Sequence, residues 1–263
     1  MKCGVRQGGL TSPLLFNLYV NDLIGELSNT HTGCHIDNTC VNNISYADDM
    51  VLLGPSVRSI RELVAICEAY ATEHGLKYNS DKSEVLVFKS GKVKPMNVPT
   101  IKLIGSALQV VTKFKYLGHV VTEDLKDDSD LERERRALAV RGNMIARRFA
   151  QCSKPVKVAL FKAYCQSFYA SSLWVTYTRK AANVLRIQYN NIFRMLMQLP
   201  RFCSASGMFA EAHTDGFHAI IRKKVASLLS CVRGSSNSIL GLFAYRFDCP
   251  IYDKWRQIML GLV

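Results

Sequence analysis

The 263 residues are 48% hydrophobic and carry a formal net charge of +13, enough apolar content for one large domain or two small ones. Nine cysteines are scattered without a CxxC pair and no apolar leader opens the chain, which argues against a disulfide-built secreted module. No uncharged apolar run reaches the ~18 residues of a membrane span, so the expectation is a reduced, soluble, intracellular protein, nuclear or cytoplasmic, with no membrane partner.

In chain order, "GVRQGGL" at residues 4–10 is a glycine-bearing turn, followed by "TSPLLFNLYVNDLIGELSN". Ser12 as N-cap and Pro13 at the first helical position predict a helix, with Leu15, Leu18, Leu23 and Leu27 as its apolar stripe. Residues 44–53, within "NNISYADDMVLLG", read as two short strands meeting at Asp48 and Asp49. Two adjacent acids near a forming core repel each other and lose hydration. Either a cation offsets that cost, or the pair sits on an exposed turn.

A second amphipathic helix, "PSVRSIRELVAICEAYATEHG", buries Val57, Ile60, Leu63, Val64, Cys67 and Tyr70 and stops at Gly75. Strand-like runs follow at 85–88, 101–104, 108–111 and 116–121, with "KVKPMNVPT" as a loop. After "TEDLKDDSD" the character changes: Ser129 and Glu132 make a capping-box pattern, and the remainder reads as helix. The expected division is α/β over 1–128 and all-helical over 129–263, an α+β chain overall.

Charge follows that division. Residues 1–130 hold 13 Lys/Arg against 15 Asp/Glu, whereas residues 131–263 hold 21 against 6. Such asymmetry points to a polyanion, nucleic acid first among them, although a basic solvated surface would look the same. His31, Cys34, His35 and Cys40 are zinc-compatible in kind, but their spacing fits no common zinc module. Surface or core roles are expected for them.

Neighbouring carboxylates reach a common point on a turn between strands, because along a strand successive side chains face opposite ways. Mg²⁺ takes one or two protein carboxylates and completes its shell with waters and phosphates; two such ions can hold both oxygens of a nucleotidyl transfer. The succession "GVRQGGLTSPLLFNLYVNDL", "YADDMVLL", "GLKYNSDKSEVLVF", "KYLGHVV" resembles, in order, the palm motifs of reverse transcriptases, those of non-LTR (LINE-type) retrotransposons above all. The likeness covers roughly residues 3–121. The later segments "LFKAYCQSFYASSLWV" and "NNIFRMLMQLPRFCSASGMFAEA" resemble the thumb and C-terminal region of such elements.

The resemblance implies a partial palm, an antiparallel sheet with packed helices, followed by a basic helical thumb. It implies an RNA-directed DNA polymerase using Mg²⁺, or Mn²⁺, on an RNA template, a DNA primer and deoxynucleoside triphosphates. Asp48 and Asp49 match its metal-binding carboxylates, with Tyr46 and Ala47 beside the incoming nucleotide. Gln7, Gly8 and Gly9 match the turn lying against the template, where glycine lets backbone approach a nucleotide closely. Lys82 matches a lysine placed near the leaving pyrophosphate, and Leu117 and Gly118 the hairpin gripping the primer end. Arg133, Arg135, Arg136, Arg141, Arg147 and Arg148 share one predicted helix and could track a phosphate backbone.

The family's site has three carboxylates, the first on a strand upstream of the glycine turn. The acids preceding Tyr46 are Asp22, Glu26 and Asp37, none in that context, so that strand and the fingers are expected to be missing and this chain alone to be inactive. A non-catalytic nucleic-acid-binding remnant is the rival expectation. A truncated product that never folds stably is a third.

Overall fold

Over residues 9–88, 97–244, 246 and 248–262, which the computed structural model describes, helices and short strands mix in the first half and helices dominate the second. The architecture is α+β, as expected. The chain divides into two units, Met1–Val111 and Thr112–Val263.

In the first unit, α1 (Ser12–Asn29) carries Pro13 in its first turn, where the missing N–H costs nothing. Thr11, not Ser12, stands at the N-cap. The buried residues of α1 are Val20, Leu23 and Leu27, while Leu15 and Leu18 are exposed. The expected stripe therefore holds only over the last turns, where α2 packs. Two hairpins follow, β1 (His35–Ile36) with β2 (Thr39–Cys40) and β3 (Asn43–Tyr46) with β4 (Asp49–Leu52).

Helix α2 (Val57–His74) begins on a capping box between Ser56 and Ser59 and ends at Gly75 with φ 67°, a conformation glycine adopts without penalty. Leu23 and Leu27 of α1 meet Leu63, Cys67 and Tyr70 of α2 in one core, with Met50 and Leu52 of β4 packed against it.

The unit closes with β5 (Glu84–Leu86), β6 (Lys102–Leu103), β7 (Ser106–Ala107) and β8 (Gln109–Val111). Among the described residues the strands pair only two by two, and β5–β8 is parallel. The single antiparallel sheet that the resemblance implied does not form among the described residues. A parallel pair needs a crossover of about a dozen residues or more, and the segment between Leu86 and Gln109, which contains the β6–β7 hairpin, supplies it.

The second unit opens with β9 (Lys113–Tyr116) and β10 (His119–Thr122), an antiparallel hairpin. The run 116–121, expected as one strand, reverses at Leu117 (φ 44°) and Gly118 (φ 83°). Positive φ at both central residues is what a tight type I′ hairpin turn requires. The hairpin belongs with the helices, ahead of the division expected near residue 128.

The helices are α3 (Asp128–Arg148), α4 (Lys154–Cys165), α5 (Arg179–Met197), α6 (Ala205–Glu211), α7 (Phe217–Arg233), α8 (Ser238–Ala244) and α9 (Pro250–Leu260). Leu131, Leu138 and Ile145 recur every seven residues along α3 and join one core with Leu185, Ile192 and Leu196 of α5. Gly142 lets the two helices approach: a Cβ there would lie 2.7 Å from Ile192. Phe161, Tyr189, Phe193 and Phe209 form an aromatic cluster in this core, with ring centroids 4.9–5.3 Å apart in the closer pairs. The capping box expected of Ser129 and Glu132 does not form. Helix α3 starts at Asp128 behind Asp127, and the Glu132 carboxylate is taken by Arg135 and Arg136. No helix among the described residues is long and apolar enough to cross a membrane.

Candidate functional site

Hairpin β3–β4 turns through Ala47 and Asp48, with Tyr46 paired to Asp49 across the strands. Ala47 takes φ 52°, the sign that two-residue hairpin turns demand at their first position. Tyr46, Ala47, Asp48 and Asp49 are all exposed. Pleating sorts the rest of the hairpin. Met50 and Leu52 pack on the α1–α2 core, whereas Ile44 and Tyr46 are exposed. The paired acids therefore ride on a solvent-facing tip, and the desolvation cost that made their adjacency puzzling does not arise.

The base of the hairpin is fastened by residues that sequence reading missed. Buried Asn42 donates through Nδ2 to the carbonyls of Leu27 and Thr32, and its Oδ1 accepts from Asn43 Nδ2 at 2.9 Å. Its backbone carbonyl accepts from Leu53 N–H at 2.8 Å. Gly33 (φ 125°) passes so close that a Cβ would lie 2.4 Å from that of Asn42. The end of α1 and the start of β3 are thereby tied at one point, fixing where the acidic tip emerges.

Gln7 and Gly8 lie outside the described residues. Gly9 accepts from Ser12 N–H at 3.3 Å just ahead of α1. Lys82 is exposed at the end of a 3₁₀ turn, Ser80–Lys82, its N–H held by Asn79. Among the described residues no three His, Cys, Asp or Glu side chains gather as a metal site; His31, Cys34, His35 and Cys40 do not come together in that way.

In the second unit, the Leu117–Gly118 turn meets Tyr169. The phenol donates to the Leu117 carbonyl at 2.6 Å, and a Cβ on Gly118 would lie 2.9 Å from the tyrosine ring. Behind the turn is a polar cluster. Asp130, fully buried, accepts from Val120 N–H, from Arg133 and from Trp174 Nε1. His119 sits 3.2 Å from Asp130 and 3.8 Å from Asp127. Asp127 accepts the N–H groups of Val175 and Thr176. Burial pushes the pKa of Asp130 up, but His119, Arg133, Trp174 and the Val120 amide outweigh it and hold the carboxyl well below the carboxylate range. For Asp127 burial wins and the pKa is raised.

The arginines of α3 divide into two groups. Arg133 pairs with Asp130 and Glu134, Arg141 with Glu134, and Arg135 and Arg136 with Glu132. Glu132 is lowered to about 2 by those two guanidinium groups. Arg147 and Arg148, at the end of the helix, are exposed and have no acidic partner among the described residues.

Residues 1–121 match the family described as Reverse transcriptase (RNA-dependent DNA polymerase). With the hairpin of adjacent aspartates in place, that region is a reverse-transcriptase region. The chain is 28% identical over 121 residues to the Retrovirus-related Pol polyprotein from type-1 retrotransposable element R2 of Popillia japonica, covering 44% of this chain and 20% of that one. It is 33% identical over 124 residues to the polyprotein of the same name from Nasonia vitripennis, covering 44% and 12%. It is 30% identical over 121 residues to the Pol polyprotein from type-2 retrotransposable element R2DM of Drosophila melanogaster, covering 44% and 11%. Over that region the chain is similar to these R2 Pol polyproteins, and it spans a fifth or less of the length of these relatives.

Proposed function

We propose that the first unit is the palm part, and the second the thumb part, of an enzyme that extends a DNA primer on an RNA template with deoxynucleoside triphosphates. The observation that carries this reading is the exposed Tyr46–Asp49 tip, presented on a hairpin whose root is locked by Asn42. Asp48 and Asp49 would hold Mg²⁺, with Mn²⁺ as a substitute. Solvent-open carboxylates suit an ion that keeps waters and phosphate oxygens in its shell. Such an ion, when bound, lowers the charge barrier to attack by the primer hydroxyl and to departure of pyrophosphate. Tyr46 and Ala47 flank the incoming nucleotide in this reading, Gln7, Gly8 and Gly9 the template, and Lys82 the leaving group. Leu117 and Gly118 support the primer end.

For the phosphate backbone, the ion pairs favour Arg147 and Arg148 over Arg133, Arg135, Arg136 and Arg141, whose charges are offset by carboxylates next to them. Electron paramagnetic resonance of Mn²⁺ tests the carboxylate assignment. A site present in the wild type and lost in Asp48→Asn/Asp49→Asn is expected; retention in the double variant overturns it. A binding role without catalysis is favoured by one observation, the 24 Lys/Arg against 11 Asp/Glu of residues 112–263. Nucleic-acid binding by a chain with no Mn²⁺ site would select that role.

A further inference from the structure

Tyr164, Tyr169 and Phe202 are exposed aromatic residues of the second unit, and Tyr169 is the one whose hydroxyl is bound to the Leu117 carbonyl. Phe161, Phe168, Tyr189 and Phe193 are essentially fully buried, yet Tyr169 is 54% exposed. It is nevertheless held in place. Its hydroxyl is bound to Leu117 across 52 residues of sequence, and its ring lies over Gly118. The flanking residues Phe168 (φ 33°) and Ala170 (φ 61°) both adopt the left-handed region, which costs a non-glycine residue of order 1 kcal/mol or more and persists only where the surroundings enforce it. Here they do: Phe168 is anchored in the core, and the segment after Ala170 is tied to α3 through Trp174, Val175 and Thr176. An exposed ring at such a strained and braced position has been oriented without being buried.

The neighbouring charge is complementary to a nucleic acid. Lys113 and Lys115, two apart on β9 and so on one face of the strand running into the turn, are exposed and without an acidic partner among the described residues. A basic strand ending at a fixed aromatic ring is the pairing that single-stranded and terminal nucleotides favour: charge for the backbone and a π-face for the base.

We infer that Tyr169 is a stacking platform for the terminal base of a nucleic-acid strand lodged at the Leu117–Gly118 turn. The inference rests on the reading above that this turn supports the primer end. It adds a residue outside the matched region 1–121 and gives its hydroxyl a separate task, keeping the ring against the turn.

The test uses the 263-residue chain and a DNA primer annealed to an RNA template. 2-Aminopurine is placed either at the primer 3′ end or ten nucleotides inside the duplex. Binding should change the emission of the terminal probe and leave the internal one as it was. Tyr169→Phe should keep the terminal signal with affinity within about twofold. Tyr169→Leu should lose that signal and weaken binding to the recessed end by roughly tenfold, the order expected for one lost stacking contact. Tyr169→Leu retaining the wild-type terminal signal overturns the inference. The wild type alone also decides it: binding that leaves the terminal probe unchanged refutes the stacking role and leaves the polymerase reading standing. Absence of any primer–template binding at low salt refutes that reading and the inference with it.

Discussion

The indole N–H of Trp174 donates to the carboxylate of Asp130 at 2.7 Å across 44 residues of sequence, in a fully buried setting. The bond joins the segment after α4 to the first turn of α3, and the same carboxylate holds Val120 of the β10 strand. Asp130 thus ties three stretches of the second unit together. Asp130→Ala would leave the Arg133 guanidinium and the indole N–H without their acceptor. Breaking one side of a buried charged pair costs about 3–5 kcal/mol, whereas Trp174→Phe, which removes one hydrogen bond and trims the buried ring, should cost about 1–3 kcal/mol. Urea unfolding followed by circular dichroism at 222 nm measures both. An Asp130→Ala loss smaller than that of Trp174→Phe would contradict the assignment.

The same cluster sets an acid limit. Asp130 is held below its ordinary pKa of about 3.9, so its contribution to stability is full above that value and fades as pH falls through the lower, folded-state pKa. Asp127, raised by burial, works in the opposite sense, its share fading as pH climbs from about 4 through the raised value. Thermal melts between pH 2 and 6 should therefore fall off steeply below about pH 4. Asp130→Asn should be less stable at neutral pH yet show a shallower acid fall. An unchanged acid slope in that variant would rule out Asp130 as its source.

At the root of the acidic hairpin, Asn42→Ala removes donors from two carbonyls and leaves them partly buried, a loss of about 1–3 kcal/mol. Gly33→Ala meets both a contact at 2.4 Å and φ 125°, and should disturb the same place. Amide exchange read along residues 34–53 should accelerate in both variants, with α5 amides unaffected. Uniform acceleration throughout the chain would show that Asn42 is not a local fastening.

The exposed acids themselves should be dispensable for folding. Asp48→Asn/Asp49→Asn is expected to melt within about 0.5 kcal/mol of the wild type, as surface changes usually do, while losing Mn²⁺. Because the chain spans a fifth or less of the length of the polyproteins it matches, it is expected to yield no primer-extension product with Mg²⁺ by itself. Robust extension abolished by the double variant would refute that expectation.

Binding to nucleic acid should follow the unpaired charges. Log affinity is expected to fall with log salt by ~0.9 per phosphate neutralised on duplex DNA and ~0.7 on single strands. Arg147→Gln/Arg148→Gln should reduce the slope by between one and two. Arg135→Gln/Arg136→Gln should move it less, because Glu132 already offsets one of those two charges. Equal effects from the two double variants would show that the ion pairs open on binding.

Much of the local structure was legible in the sequence because short-range rules govern it. Gly75 ends α2, Pro13 starts α1, and the two strands around Asp48 and Asp49 fall within a residue of where alternation put them. What could not be read depends on partners distant in sequence. Leu15 and Leu18 fit a helical stripe, but whether a stripe is buried depends on what packs against it. The arginines of α3 looked like a basic face because spacing shows which residues share a helix, not which carboxylate each one meets. Asn42 and Tyr169 carried no signal at all: an asparagine before a strand and a tyrosine after a helix are common, and only the Leu27 and Leu117 carbonyls give them meaning. The run 116–121 did hold a clue, since Leu-Gly inside an apolar stretch is a place where a strand can fold back.

Gly118 is specified twice, by its φ of 83° and by the tyrosine ring that leaves no room for a Cβ. Asparagine would tolerate the first constraint and violate the second; shrinking residue 169 would relieve the second and leave the first. A lineage that lost this glycine could not regain the turn through a single compensating change elsewhere, so drift at position 118 is confined in a way that drift at Leu117 is not.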